Sequence, residues 1–252
     1  MNLYRNLLIV FVIIISNETL QSQSSSKPVY VFVHGMTAGG WAFKKVDSLL
    51  TESGNSVYRP TLTGTGERVH LASTNVVLNT HISDIVNTIM YEDLNDVILI
   101  GHSYGGMVVT GVADRIPERI KKLIYIDAFV PEDGESAASI ANIRIDASIK
   151  IVNGLLFPEW LKDGQEPPRE EPHPIQTLLD DISLTNPKRL KISSIYILTV
   201  DLGKSPEEDD FYPQAERAKK KNWTVLQLNA DHNPQWSKPV ELVEMLKAIV
   251  TK

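Results

Sequence analysis

"ILIGHSYGGMVV", Ile98–Val109, is the stretch whose reading decides the fold. An apolar run, "DVILIG", stops at a glycine, and a second, "YGGMVVTGVADRI", starts three residues later and closes at Pro117. The first has the length and β-branched content of a buried strand, the second the length and spacing of a helix. Between them lies Gly101-His102-Ser103-Tyr104-Gly105. Gly-x-Ser-x-Gly between a strand and a helix requires a sharp turn, and the flanking glycines have no Cβ to collide with neighbouring elements. Such a turn lifts Ser103 off the strand end, at the positive end of the following helix. A serine so placed is a turn residue or a nucleophile, and the rest of the chain must supply its partners.

A hydroxyl is a weak nucleophile and needs a base. Of six histidines, His232 in "LNADHNPQW" follows the last expected strand and precedes the last helix, in a loop that returns to the strand ends. His34 and His102 flank key turns and are expected to orient backbone; His70, His81 and His173 are expected to be structural or exposed. The developing oxyanion needs donors. "HGM" after the first strand offers the Met36 N–H, with Gly35 allowing close approach, and the Tyr104 N–H is the second. Two aspartates could hold His232: Asp127, ending "KLIYID", and Asp201, ending "SIYILTVD". Glu207, Glu208, Asp209 and Asp210 read as a solvated acidic loop.

Outward from this centre, strands and helices alternate: "VYVFVHG", "WAFKKVDSLLTESG", "SVYRP", "HISDIVNTIMYEDL", then the serine unit and "KLIYID". After a break they resume with "SIYILT", "YPQAERAKKK", "TVLQL" and "PVELVEMLKAIV". Strands apolar through their length, alternating with helices, predict an α/β fold: a mostly parallel sheet with helices on both faces. The break, about residues 131–191, is rich in Pro, Glu and Asp and reads as an inserted cap. Phe129, Leu155, Phe157 and Trp160 around it, with Trp236 beside the histidine loop, are the candidates for an apolar substrate pocket.

The chain has 252 residues, a formal net charge of -6 and no cysteine. A nucleic-acid binder would need a basic stripe that is missing here. Disulfides, thiolate metal sites, a cysteine nucleophile and a lipid-modified cysteine anchor are excluded. No H-E-x-x-H pair suggests a histidine metal site, and no cofactor is implied. Arg5 followed by an apolar run from Leu7 to Ile15 and then polar residues reads as a cleaved signal peptide, the alternatives being an uncleaved anchor or a buried extra segment. Residues 1–26 are therefore set apart from the domain at 27–252, and a periplasmic or secreted protein is expected, with no stable membrane span after cleavage.

From Val29 onward the chain resembles the α/β-hydrolase superfamily, and within it small bacterial hydrolases related to plant methyl esterases and hydroxynitrile lyases. The pieces that carry the resemblance are "VFVHGMTAGGWAF", "RPTLTGTGERVHL", "THISDIVNTIMYEDLNDVILIGHSYGGMVV", "YIDAFVPEDGES" and "NWTVLQLNADHNPQW". It implies the α/β-hydrolase fold with Ser103 as nucleophile, His232 as base, and Met36 and Tyr104 at the oxyanion positions. For the acid it points both ways. Plant relatives place it after the strand corresponding to "SIYILT", towards Asp201 or its acidic neighbours. The closer bacterial group keeps "DAFVPEDG", towards Asp127, the favoured choice. Lyase relatives carry a lysine beside the catalytic histidine and a threonine after the first-strand histidine; Asn233 and Gly35 stand there and disfavour cyanohydrin cleavage. The expected function is hydrolysis of small carboxylic esters, the alternatives being a lyase or a ligand-binding protein on the same scaffold. "GERVH" is shared with the bacterial group, and Glu67 and Arg68 are expected to tie a loop near the pocket.

Overall fold

The computed structural model describes residues 27–142, 149–162 and 164–251. The expected signal segment, residues 1–26, lies outside them.

In chain order the elements are β1 (Val29–Val33), α1 (Lys44–Glu52), β2 (Ser56–Tyr58), α2 (Leu78–Tyr91), β3 (Val97–His102), α3 (Gly105–Arg115) and β4 (Ile120–Ile126). Next come α4 (Ala137–Ile140), β5 (Ile151–Val152), β6 (Leu155–Leu156), β7 (His173–Pro174) and α5 (Gln176–Leu179). The chain ends with β8 (Ser193–Val200), α6 (Tyr212–Lys220), β9 (Thr224–Asn229), α7 (Pro234–Ser237) and α8 (Pro239–Val250).

Six strands form one parallel sheet in the order β2-β1-β3-β4-β8-β9. The expected fold class is the observed one. Alternation along β3 explains why its sequence is apolar throughout. Val97 and Leu99 enter a core with α2 and α3, while Ile98 and Ile100 enter a second core with α1 and α8. Both faces are covered, so neither set of side chains can be polar. The edge strands β2 and β9 are only partly buried. From β1 the chain moves out to β2 and then back across to β3, so the strand order reverses between β1 and β3. At such a reversal the loops beyond the strand ends part and leave a crevice. Gly35 and Ser103 stand at that point.

The stretch between β4 and β8 makes a separate three-stranded antiparallel sheet, β5-β6-β7, and two short helices. Leu156 of β6 joins the core with Ile175 and Leu178.

Candidate active site

Ser103 follows β3 directly and has φ 53°, the left-handed region that non-glycine residues rarely occupy. Close packing holds it there. A Cβ on Gly101 would lie 2.7 Å from the Gly105 carbonyl oxygen, and one on Gly105 would lie 2.5 Å from that of Val33. Gly106, which sequence reasoning did not single out, is tighter still: its Cβ would lie 2.1 Å from the Phe129 oxygen. A Cβ on Gly35 would lie 3.0 Å from His102 Nδ1 and 3.1 Å from Ser103 Cβ, a tight approach that glycine relieves.

His232 lies on the loop between β9 and α7. Its Nδ1 is 3.0 Å from Asp127 Oδ2. A carboxylate only accepts, so Nδ1 carries the hydrogen and Nε2 is left with its lone pair. Asp127 follows β4, is fully buried and has φ 42°. It also accepts from the Thr199 N–H at 2.8 Å and the Thr199 hydroxyl at 2.5 Å. His102 donates from Nε2 to the His232 carbonyl at 2.7 Å, anchoring the loop from below. Phe211 stacks on the His232 ring, centroids 4.7 Å apart and planes 14° apart.

Asp201 is elsewhere. Its carboxylate is half-exposed and pairs with Lys204 at 2.7 Å, so the structure brings Asp127, not Asp201, to His232. Asp209 departs from the expected solvated loop. It is partly buried, and burial together with the Asp127 charge pushes its carboxyl up to about 6.

Ser103, His232, Met36 and Tyr104 line one cavity of about 450 Å³. Its wall is mostly apolar, and Phe129, Trp160 and Trp236 contribute to it. Leu155 and Phe157 are not among its lining residues. Leu155 lies on β6 next to Leu156; neighbouring strand residues face opposite ways, and it is Leu156 that enters the core. Phe157 packs against Lys150, whose Nζ lies 4.9 Å from the ring centroid. The sequence reading missed Thr37, Ala137, Glu170, Leu178 and Phe211 on the wall. They come from the β1 loop, the inserted segment and the approach to α6, where no periodicity marks the inward side.

Met36, from the loop after β1, and Tyr104, from the turn after β3, both line this cavity. His34 fixes the first. Its Nε2 accepts from the Leu62 N–H at 3.1 Å, so its Nδ1 donates to the Gly35 carbonyl at 2.8 Å, which shares a peptide plane with the Met36 N–H. The Tyr104 hydroxyl donates to His81 Nδ1 at 2.9 Å, and His81 Nε2 donates to the Thr63 carbonyl at 2.8 Å. Burial lowers His34 and His81 to about 4 and holds His102 and His173 well below the usual imidazole range. These four rings are neutral scaffolding at pH 7. His70 is exposed. Glu67 accepts from the Thr61 hydroxyl at 2.5 Å and Arg68 donates to the Thr61 carbonyl at 2.7 Å, tying that loop without lining the cavity. Among the described residues no cluster of three or more His, Cys, Asp or Glu could hold a metal ion, and no helix is long and apolar enough to cross a membrane.

A glycine-fenced serine on the turn after a central parallel strand, lining one cavity with a histidine from the loop after the last strand, defines a class. The chain belongs to the alpha/beta hydrolase family, whose description matches residues 30–245. The carbendazim hydrolyzing esterase of Nocardioides sp. (strain SG-4G) is 52% identical over 111 residues, 44% of this chain; the match spans 46% of that relative, less than half its length. The pFDCC methylesterase MES16 of Arabidopsis thaliana is 27% identical over 91% of this chain and 97% of its own. A solved extracellular alpha/beta-hydrolase from a Paenibacillus species is described as sharing structural and functional homology with tobacco salicylic acid binding protein 2. It superposes with a TM-score of 0.68 at 24% identity, covering 88% of this chain and 98% of that one, a likeness of fold.

Proposed function

We propose that the protein is a serine hydrolase of small carboxylic esters. The observation that carries this reading is the cavity lined together by Ser103, His232, Met36 and Tyr104, with Asp127 hydrogen-bonded to the histidine. The esterases among its relatives support the reaction class.

Ser103 Oγ attacks the ester carbonyl while His232 Nε2 takes the hydroxyl proton. The carbonyl oxygen gains the negative charge and sits between the Met36 and Tyr104 N–H groups. As the tetrahedral intermediate collapses, His232 returns the proton to the departing alkoxide, and an acyl-enzyme remains. Water, deprotonated by the same histidine, repeats the sequence and frees the acid. Asp127 keeps His232 in the productive tautomer and balances the imidazolium. Phe211, flat on that ring, shields one face from water. The apolar wall favours an apolar acyl or aromatic group over a charged one.

The test is a panel of p-nitrophenyl esters of graded chain length beside a fluorophosphonate label. Ser103→Ala is expected to lose the label and at least about 10⁴-fold in turnover. A label that persists in that variant overturns the assignment. Export through the segment at 1–26 belongs to the same proposal, tested by sequencing the N-terminus of protein recovered outside the cytoplasm.

A further inference from the structure

Thr37 follows Met36 and is fully buried, with φ 67°. A β-branched residue in the left-handed region is an outlier that only surrounding contacts can maintain. Those contacts come from far along the chain. The Thr37 N–H donates to His173 Nδ1 at 3.3 Å. The Thr37 carbonyl accepts from the Glu171 N–H at 2.9 Å. The Thr37 hydroxyl lies 2.8 Å from Glu170 Oε1 and 2.5 Å from the Met36 carbonyl, and its one hydrogen serves these two acceptors. Trp160 Nε1 approaches the same hydroxyl at 3.5 Å.

Apart from the neighbouring Met36, the four partners, Trp160, Glu170, Glu171 and His173, lie in the segment inserted between β4 and β8. His173 holds the N–H of the peptide immediately after the one that carries the Met36 N–H, and the others hold the Thr37 carbonyl and hydroxyl. His173 is itself fixed: its Nε2 donates to the Thr177 hydroxyl at 2.9 Å, and that hydroxyl donates to the Pro174 carbonyl at 2.8 Å. The His173 ring also meets the Tyr104 ring edge-on, centroids 5.0 Å apart. One buried imidazole thus touches both loops that present an N–H to the reacting oxygen.

We infer that the inserted segment sets the geometry of the oxyanion site through Thr37, and that Thr37, Glu170 and His173 are positioning residues for the Met36 N–H. The inference rests on the hydrolase reading above. An N–H donor contributes to rate only if it is aimed at the oxygen's place in the transition state, and a misplacement of about 1 Å costs about 10²-fold. Releasing Thr37 therefore slows the chemical step more than it weakens substrate binding.

Thr37→Val keeps the branched shape and removes the hydroxyl; Thr37→Ser restores it. The measurements are steady-state ester kinetics and the inhibition constant of an aryl boronic acid, which forms a tetrahedral adduct on the nucleophile. Thr37→Val is expected to lower kcat about 10- to 100-fold with KM within about threefold, and to weaken the boronate by a matching factor. Thr37→Ser is expected to stay within about threefold of the parent on all three. Glu170→Ala, at a partly exposed position that tolerates truncation, is expected to lower kcat in the same sense even where Thr37→Val folds poorly. An unchanged kcat in folded Thr37→Val or in Glu170→Ala, or a raised KM with unchanged boronate affinity, overturns the inference. A parent protein that neither turns over esters nor takes the fluorophosphonate overturns the hydrolase reading instead.

Discussion

Thr199 gives both its backbone N–H and its hydroxyl to the carboxylate of Asp127. Both donors come from β8, the strand beside β4, so the sheet itself fixes the plane of that carboxylate. Its orientation towards His232 is set before any substrate arrives.

Asp127→Asn is expected to cost about 10⁴ in kcat, the loss known when the acid of such a triad becomes an amide. It also sets an amide NH₂ or oxygen against donors that need two acceptors, so some loss of stability accompanies it. Asp201→Asn, at a half-exposed pair with Lys204, is expected to stay within about twofold. Circular dichroism supplies the folded fraction. The reverse ranking would move the role to Asp201.

The left-handed backbone at Ser103 is strained for any residue with a Cβ. Ser103→Gly relieves about 1–2 kcal/mol of that strain and gives back part through the entropy of the unfolded chain. The glycine variant is expected to melt a few degrees above Ser103→Ala, and neither is expected to turn over esters; at this size about 1 kcal/mol moves Tm by about 2–4 °C. Equal melting temperatures would mean that the turn stores no strain.

Acid is expected to destabilise the protein well above the carboxylate range. His34 and His81 are lowered to about 4 in the fold from a value of 6.5. Between those values the unfolded chain binds more protons than the folded one, so stability rises with pH across that window. The contribution is complete above about 6.5 and is lost as pH falls towards about 4, with order 3 kcal/mol at stake for each ring. Urea midpoints at pH 7.5, 6, 5 and 4.5 measure it. A midpoint that stays flat down to pH 4.5 would mean these rings protonate without unfolding.

Gly106→Ala is expected to cost at least about 2 kcal/mol, because its Cβ would lie 2.1 Å from a backbone oxygen that cannot move freely. Gly134→Ala meets nothing within 4 Å and bears only the strain of φ 78°, about 1 kcal/mol. Urea unfolding of both separates close approach from backbone strain; equal losses would contradict the packing argument.

The sheet was legible because its central strands are buried on both faces, which forces apolar runs between the helices. Ser103 was legible for a related reason. Its turn leaves no room for a Cβ at Gly101 or Gly105, and that constraint is visible as letters. The inserted segment was opaque. Its strands are two residues long, too short for alternation to register, so Leu155 and Leu156 look alike in sequence although only one faces the core. Thr37 carries no mark of its positive φ, because its partners lie more than a hundred residues away. Phe211 reads as the apolar start of a helix, and only the path of the chain past β8 puts it against His232.

Three of the four tryptophans cluster at the cavity. Trp160 and Trp236 line it, and Trp41 lies parallel to Trp236, centroids 5.7 Å apart and planes 5° apart. The Trp236 indole is half-exposed and tethered by its N–H to the Ala42 carbonyl at 3.0 Å, so it cannot turn away from whatever enters. Three of the molecule's four indole fluorophores therefore stand at or next to the pocket. A bound guest that stacks there will change the colour and intensity of that light, and the two parallel indoles will couple in the near-ultraviolet dichroism. Occupancy can be read from the unlabelled protein with a fluorimeter.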